Sequence, residues 1–132
     1  MTSDTPTPSA IPEWKADLAR RTPPGWYGLA TPPGWDELVA GLHRAIVALH
    51  PDYEVYQVKE KFGQLRFYCS VEDDPAVAGF ISDAEVRSAG ICQECGLPGE
   101  LTVVGGWYAT HCAAHARRPS TGPAEESVAE PD

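Results

Sequence analysis

The strongest hydrophobic periodicity in the chain lies between residues 35 and 50. Apolar residues recur there at the i, i+3, i+4 and i+7 spacing of a helix that buries one stripe. The stripe consists of Trp35, Leu38, Val39, Leu42, Ile46 and Leu49. Because acidic residues stand in its first turn and Pro51 ends the pattern, we predict a helix over residues 35–50. His43 and His50 lie on this helix, and we interpret them as solvated or capping side chains.

A second main helix is predicted over residues 74–90. An aspartate suits its N-cap, a proline its first position and a glycine its C-terminal end. These framing residues are Asp74, Pro75 and Gly90. The apolar stripe of this helix is Val77, Phe80, Ile81 and Ala84. A capping-box pattern at Ser82 and Glu85 leaves open a start or break near residues 79–82.

Residues 53–71 alternate between apolar and polar side chains and predict a β-hairpin that turns at Phe62 and Gly63. Pairing outward from this turn sorts the side chains onto two faces. The core face comprises Tyr56, Val58, Leu65, Phe67, Cys69 and Val71. Cys69 is therefore predicted to be a buried small hydrophobe rather than a nucleophile. The opposite face comprises Gln57, Lys59, Lys61, Gln64, Arg66 and Tyr68.

This polar face gathers three cations around one tyrosine in a chain whose net charge is −9. The candidate ligand-binding residues are Lys59, Lys61, Arg66 and Tyr68. One interpretation is a solvated face screened by Glu54 and Glu60. The other is a site for an anionic ligand or a nucleic-acid strand, with Tyr68 as a stacking surface. The overall acidity disfavours nucleic acid, since phosphate binding depends largely on Lys and Arg.

A short repeat precedes the first main helix, where the sequence TPPGW at residues 22–26 recurs at residues 31–35. Two copies are too few for a solenoid. We interpret each copy as a stiff turn that places its tryptophan on the core, and an exposed Trp/Pro surface for a partner remains the alternative. Ahead of the repeat, the i, i+4 spacing of Trp14 and Leu18 predicts a short helix over residues 11–21.

Near the C-terminus, four soft ligands follow the pattern C-x2-C, sixteen residues, C-x2-H. The ligands are Cys92, Cys95, Cys112 and His115. Two close pairs separated by a β-forming insert are typical of a tetrahedral Zn²⁺ site, and a closed set of four favours a structural ion. We predict one Zn²⁺ in a treble-clef-like module over residues 91–118, with a hairpin turning at Gly105 and Gly106 and a helix over residues 113–118.

Other interpretations of these residues remain open at this point. The cysteines could form disulfides, although Cys69 is then left over in a predicted strand. The C-x2-C pair could be redox-active, but no βαβ pattern surrounds it. His111 could replace His115 as the fourth ligand, although a spacing of one helical turn from Cys112 favours His115.

The two ends of the chain differ in composition from its centre. Residues 1–10 and the acidic residues 119–132 are predicted to be disordered, since they offer little to bury. The chain has no apolar run near the roughly 20 residues that span a bilayer. Its first ten residues lack the basic-then-apolar pattern of a signal peptide. Together with reduced cysteines, these features favour a cytoplasmic protein that has no membrane partner.

The hairpin motif KEKFGQLRFY at residues 59–68, followed by a helix and the Cys/His cluster, resembles a group of small uncharacterised zinc-finger-like proteins from bacteria and their phages. The resemblance covers about residues 35–115. It implies that the four metal ligands carry over position by position, and it implies no known activity. Gln64 stands where a second glycine is common in the group, so a glycine-dependent ligand contact is not carried over.

These elements together predict an α+β fold, in which a core over residues 11–90 with two main helices and one hairpin precedes the zinc module. The chain lacks a phosphate loop, a G-x-S-x-G elbow, an H-E-x-x-H motif and a deaminase motif, so we do not expect an enzyme. The favoured function is a zinc-stabilised accessory module that binds another protein. The alternative is binding of nucleic acid or an anionic ligand through the basic face of the 53–71 hairpin.

Overall fold

The computed structural model describes residues 11–116, and its α+β architecture confirms the predicted fold class. The helices are α1 (Glu13–Arg20), α2 (Asp36–Leu49) and α3 (Pro75–Ser88). The strands are β1 (Gly28–Ala30), β2 (Val55–Lys61), β3 (Gln64–Cys69), β4 (Glu100–Val104) and β5 (Trp107–His111). Single 3₁₀ turns cover Pro33–Trp35 and Ala113–His115. The segments predicted to be disordered, residues 1–10 and 119–132, lie outside the described residues.

The helices follow the predicted patterns closely. In α3 the Asp74 side chain accepts a hydrogen bond from the Ala76 amide at 2.9 Å, which is the predicted N-cap. The helix continues unbroken through Ser82, so the alternative start there is wrong. Both stripes are narrower than predicted, because Leu49 at the end of α2 and Phe80 in α3 are exposed.

The first sheet has the strand order β1-β2-β3, and β2 and β3 form the predicted antiparallel hairpin. Phe62 and Gly63 adopt positive φ angles of 56° and 83°, as a two-residue type I′ turn requires. A bulge between Val55 and Gln57 shifts the register. Val55 therefore takes the fully buried place opposite Cys69 that we predicted for Tyr56, which is only partly buried.

Strand β1 was not predicted. It has three residues and pairs in parallel with β2, with Leu29 beside Val58. A strand this short, next to Pro-Pro-Gly segments on both sides, gives no periodic signal. It widens the sheet beyond the hairpin, and its register places Ala30 next to Lys59 on the polar face.

One hydrophobic core joins the three helices to the inner face of the sheet. Its largest fully buried side chains include Trp35, Phe67, Leu18, Ile46 and Leu65. Cys69 is also buried in this cluster, as predicted for a small hydrophobe, and burial raises the pKa of its thiol. The helices all pack on this inner face, so the polar face of the sheet points away from them.

The outer edge of β3 is capped by side chains instead of a fourth strand. The Leu65 amide donates to the Ser88 hydroxyl at 2.8 Å, and the Phe67 amide donates to the Glu85 carboxylate at 3.3 Å. The Cys69 amide donates to Glu72 at 3.0 Å. These are the amides that would otherwise stay unpaired at a sheet edge.

Candidate metal centre

The first half of the cluster is a tight turn that bends around the Cys92 sulfur. The Gly96 amide donates to the Cys92 carbonyl at 3.0 Å, and the Cys92 amide donates to the Leu97 carbonyl at 2.8 Å. Gly96 has a φ of 83°, a conformation that glycine adopts without a steric penalty. The Glu94 amide also lies 3.4 Å from the Cys92 sulfur, so the turn directs backbone donors at this ligand.

The β4–β5 hairpin brings the second half of the cluster back to the first. Gly105 and Gly106, with φ of 59° and 81°, form its turn, as predicted. Cys112 follows β5 directly, and His115 is held by a hydrogen bond from its amide to the Cys112 carbonyl at 3.1 Å. The predicted helix over residues 113–118 is wrong in the described part. The chain forms one 3₁₀ turn over Ala113–His115 and becomes extended at Ala116, where ψ is 140°.

The donor atoms of Cys92, Cys95, Cys112 and His115 all lie within 4.8 Å of one another. The sulfurs of Cys95 and Cys112 are 3.7 Å apart, and Nδ1 of His115 lies 3.6 Å from the Cys92 sulfur and 3.3 Å from that of Cys112. Tetrahedral bonds of about 2.3 Å to sulfur and about 2.0 Å to nitrogen imply S···S and S···N separations of about 3.8 and 3.5 Å. The four side chains therefore fit one tetrahedral metal ion.

No disulfide bond joins the cysteines in residues 11–116. All four thiols are free, and 3.7 Å is well beyond the roughly 2.05 Å of a disulfide bond. His111 does not join the cluster. Its Nε2 lies 3.7 Å from the Glu94 carboxylate, and its Nδ1 is buried without a hydrogen-bond partner among the described residues. The structure thus places His115, and not His111, beside the three sulfurs.

The surroundings of the cluster favour the charged form of two of the three sulfurs, those of Cys92 and Cys112. A backbone hydrogen bond from Leu97 acts to lower the pKa of Cys95, but burial and the contacts with the other two sulfurs outweigh it and raise that pKa. Burial acts to raise the pKa of the Cys92 thiol, but backbone hydrogen bonds from Cys112, Cys95 and Glu94 outweigh it and lower the pKa to about 6. The hydrogen bond to His115 lowers the pKa of Cys112, and the same contact raises the pKa of His115. Thiols that ionise near neutral pH are the form that binds a metal ion.

The tight turn that bears Cys92 and Cys95, called the knuckle from here on, docks on the second copy of the TPPGW repeat. The Gly34 amide donates to the Gln93 carbonyl at 2.7 Å, and Nε1 of Trp35 donates to the Ile91 carbonyl at 3.0 Å. A Cβ on Gly34 would overlap the carbonyl oxygen of Cys92, so this approach requires glycine. The Cys/His cluster is therefore anchored directly on Trp35, a fully buried residue of the core.

The β4–β5 hairpin docks on the turn of the β2–β3 hairpin. The Thr110 hydroxyl donates to the Gly63 carbonyl at 2.8 Å, and Thr110 is fully buried. A Cβ on Gly63 would overlap the Leu101 side chain. The rings of Phe62 and Tyr108 meet edge to face with centroids 5.4 Å apart. The KEKFG motif is thus the second point of attachment for the module.

The predicted ligand-binding residues share the outer face of the sheet. Lys59 is the register partner of Arg66, and Tyr68 pairs with Gln57. Within the described chain, Lys59, Lys61 and Arg66 have no carboxylate within 4.0 Å. Glu60, one of the two predicted screening residues, makes no ion pair within 4.0 Å in the described residues, and its carboxylate accepts a hydrogen bond from the Gly63 amide at 2.7 Å.

A second polar cluster, which the sequence did not reveal, lies under α1. His43 is buried, and its ring nitrogens lie 2.7 Å from the Asp17 carboxylate and 2.6 Å from the Tyr53 hydroxyl. Burial lowers the pKa of His43, and hydrogen bonds from Arg21 and His43 overcome burial to lower that of Asp17 to about 2. The prediction of a solvated His43 is wrong, because it lies on the edge of the buried stripe. His50 does stand at the C-terminal end of α2, where its ring contacts Asp74 at 2.6 Å.

Comparison of the chain with family models, curated proteins and solved structures gives no match. The resemblance to small bacterial and phage proteins therefore stays a prediction that rests on the two motifs. Within residues 11–116, no helix has the length and apolar character needed to cross a membrane.

Proposed function

We propose that this protein is a zinc-stabilised interaction module in which Cys92, Cys95, Cys112 and His115 hold one structural Zn²⁺. The spacing of the four donor atoms, all within 4.8 Å, carries the proposal. Three thiolates and one imidazole suit Zn²⁺, and four protein ligands are typical of structural rather than catalytic zinc. The ion would offset the charge of the sulfurs and join two chain segments. The proposed role is therefore not enzymatic.

A treble-clef arrangement is part of the proposal. The succession of the cysteine turn, the β4–β5 hairpin and the ligand-bearing turn at Ala113–His115 along the chain supports this part of the proposal. Four free thiols also suit a reducing compartment such as the cytoplasm.

Metal analysis and chelation test the centre. We expect one equivalent of zinc in the purified protein by elemental analysis. Chelation should lower the free energy of unfolding by several kcal/mol, because ion binding contributes to folding. Cys95→Ser should lose the zinc, whereas Cys69→Ala, which alters a buried thiol outside the cluster, should keep it. A metal-free protein whose unfolding ignores both chelator and Cys95→Ser would contradict the proposal.

Another protein is the proposed partner, and the apolar surface beside the metal module supports this choice. Four large side chains there are 40–59 % exposed. They are Phe62, Leu101, Val103 and Tyr108. Single exposed apolar residues are common on protein surfaces, whereas a group of them marks an interaction site. Co-purification of a defined protein in equimolar amount from cells that express the chain tests it. Val103→Asp should abolish the complex, and Val86→Asp, at a valine on α3 that is 67 % exposed against 53 % for Val103, should leave it intact.

Binding of an anionic ligand is the second candidate function. The observation that favours it is the lack of a carboxylate partner for Lys59, Lys61 and Arg66 in the described chain. Cations on one sheet face that are not neutralised internally attract an external anion.

A further inference from the structure

We propose that the outer face of the β1-β2-β3 sheet binds single-stranded nucleic acid, and that aromatic rings beside the metal module complete this site at one end. The inference deepens the second candidate function and needs the metal module in its folded form. It assigns a ligand class to the outer face, defined as Gln57, Lys59, Lys61, Gln64, Arg66 and Tyr68.

Charge is segregated on this sheet. The outer face carries three cations, two amides and one phenol, and no carboxylate occupies its six positions on β2 and β3. Lys59 and Arg66 stand directly opposite each other, and Lys61 follows Lys59 at a distance of about 7 Å along the strand. The result is a short row of positive charge on a molecule that is acidic overall.

None of these cations has a carboxylate within 4.0 Å among the described residues, although the charge of Arg66 acts from farther away to lower the pKa of Glu85. Glu60, which is the nearest acid in sequence, belongs to the other face of β2, where it pairs with Leu65 and accepts from the Gly63 amide. Arg66 donates to the carbonyl of its neighbour Leu65, and Lys61 lies 5.5 Å from the Phe62 ring. An unpaired cluster of like charges is unfavourable unless solvent or a bound anion compensates it.

Aromatic rings stand at both ends of this row. Tyr68 lies at one end and is 38 % exposed. At the other end, Phe62 lies in the turn of the β2–β3 hairpin and contacts the ring of Tyr108. These two side chains are 59 % and 42 % exposed. Tyr108 belongs to β5, so the second ring pair exists only when the metal module is docked on Gly63. Cations flanked by exposed rings are the combination that binds phosphates and stacks unpaired bases.

The rings distinguish a single strand from other polyanions. Bases of a duplex are stacked on each other and offer no face to Tyr68 or Phe62. An acidic peptide would use the cations and gain nothing from the rings. The rows from Gln57 to Lys61 extend over roughly 14 Å, at about 3.4 Å per residue, so the site is short and its affinity modest.

Fluorescence anisotropy with the zinc-loaded full-length protein tests the inference. The probes are labelled short oligothymidine and oligouridine, a duplex of random sequence, and polyglutamate. We expect single strands to bind best, with log affinity falling against log salt at a slope of about −2, since three neutralised phosphates contribute about 0.7 each. Lys59→Glu/Arg66→Glu should lower affinity at least about tenfold at low salt and flatten that slope.

Two further variants sharpen the assay. Arg44→Glu/Arg87→Glu changes the net charge equally but alters exposed helical residues, so it should change affinity less than about threefold. Tyr68→Ala should weaken single-strand binding about tenfold through lost stacking and leave polyglutamate binding unchanged.

Three outcomes would overturn the inference. The first is equal binding of duplex and single strand, and the second is equal binding of polyglutamate with no effect of Tyr68→Ala. The third is no binding of any probe at low salt by a folded protein that carries its zinc. In that third case the proposed structural zinc stands, because metal content and unfolding judge it independently.

Discussion

The two copies of TPPGW have the same sequence, but they differ in turn type and in the burial of their tryptophan. In both copies the tryptophan amide donates to the carbonyl of the proline three residues earlier, at 3.2 Å. Gly25 in the first copy has a φ of 91°, as in a type II turn, whereas the second copy forms a 3₁₀ turn. Trp26 is 52 % exposed and rests on Tyr56 with ring centroids 4.7 Å apart, but Trp35 is fully buried.

The two turns differ in the orientation of one peptide group, and a contact with a segment distant in sequence accounts for this difference. Type I and type II turns differ in the orientation of their central peptide, which here carries the glycine amide. In the second copy the Gly34 amide points at the Gln93 carbonyl of the cysteine turn, at 2.7 Å. A Cβ on Gly25 would meet nothing within 4 Å. Identical local sequences therefore adopt different turns because only one of them has the metal module to contact.

The largest effect on this comparison is expected from Gly34→Ala. The added methyl group overlaps the Cys92 carbonyl, so the knuckle must move away from the core. We predict a loss of about 3 kcal/mol or more in the free energy of unfolding, measured by urea denaturation of the zinc-loaded protein. Weaker zinc retention against a competing chelator should accompany it.

The matched control is Gly25→Asn, which tests the same position of the first copy. Asparagine tolerates positive φ and the site has open space, so the cost should stay within about 1 kcal/mol. Equal losses for the two variants would mean that the contact between Gly34 and the knuckle does not distinguish the copies.

A smaller difference is expected between the two tryptophans. Trp35→Phe removes a buried ring and leaves the Ile91 carbonyl without its donor, so we predict a loss of about 2–3 kcal/mol in the free energy of unfolding. Trp26→Phe keeps an aromatic contact with Tyr56 on the surface and should cost less than about 0.5 kcal/mol. Thermal unfolding of both variants checks this order, and a reversed order would refute the assigned burial.

Lowering the pH should destabilise the protein through the surroundings of the first copy, and this effect on the free energy of unfolding should be smaller still. The first copy borders an open surface pocket of about 480 Å³ together with Asp17 and Tyr53, next to the buried His43. Burial lowers the pKa of His43 in the folded protein, so below its ordinary value of about 6.5 the unfolded chain binds more protons. Stability from this residue is therefore lost as the pH falls from 7 to 5.

His43→Gln should remove this contribution, which we expect to be about 1 kcal/mol across that interval. The measurement is the free energy of unfolding of both zinc-loaded proteins at several pH values, compared as a difference so that proton competition at the metal cluster cancels. Parallel pH profiles for the two proteins would show that His43 titrates alike in the folded and unfolded states.

The sequence was informative where the physical cause is local. The α2 stripe, the Asp74 cap, the Phe62-Gly63 turn and the spacing of the cysteines each depend on neighbours within a few residues. The proximity of His115 to the three sulfurs follows from that spacing together with the β4–β5 hairpin.

Features that depend on distant contacts were missed. Strand β1 exists because β2 lies beside it, and the burial of His43 requires Asp17 and Tyr53 from other elements. The bulge at Tyr56 moved one residue out of the core face that strict alternation assigned to it. The docking of Gly34 and Gly63 on the metal module has no signature within either segment.

The capped edge of β3 has a consequence for self-association. Glu72, Glu85 and Ser88 occupy the amides through which a strand of another molecule would extend the sheet. Two of these caps belong to α3, so the edge is protected only after that helix has docked. In any state of the chain in which α3 is undocked, the Leu65 and Phe67 amides lack these partners and are open to pairing with another chain. Docking of α3 thus protects the β3 edge of the hairpin from pairing with another molecule.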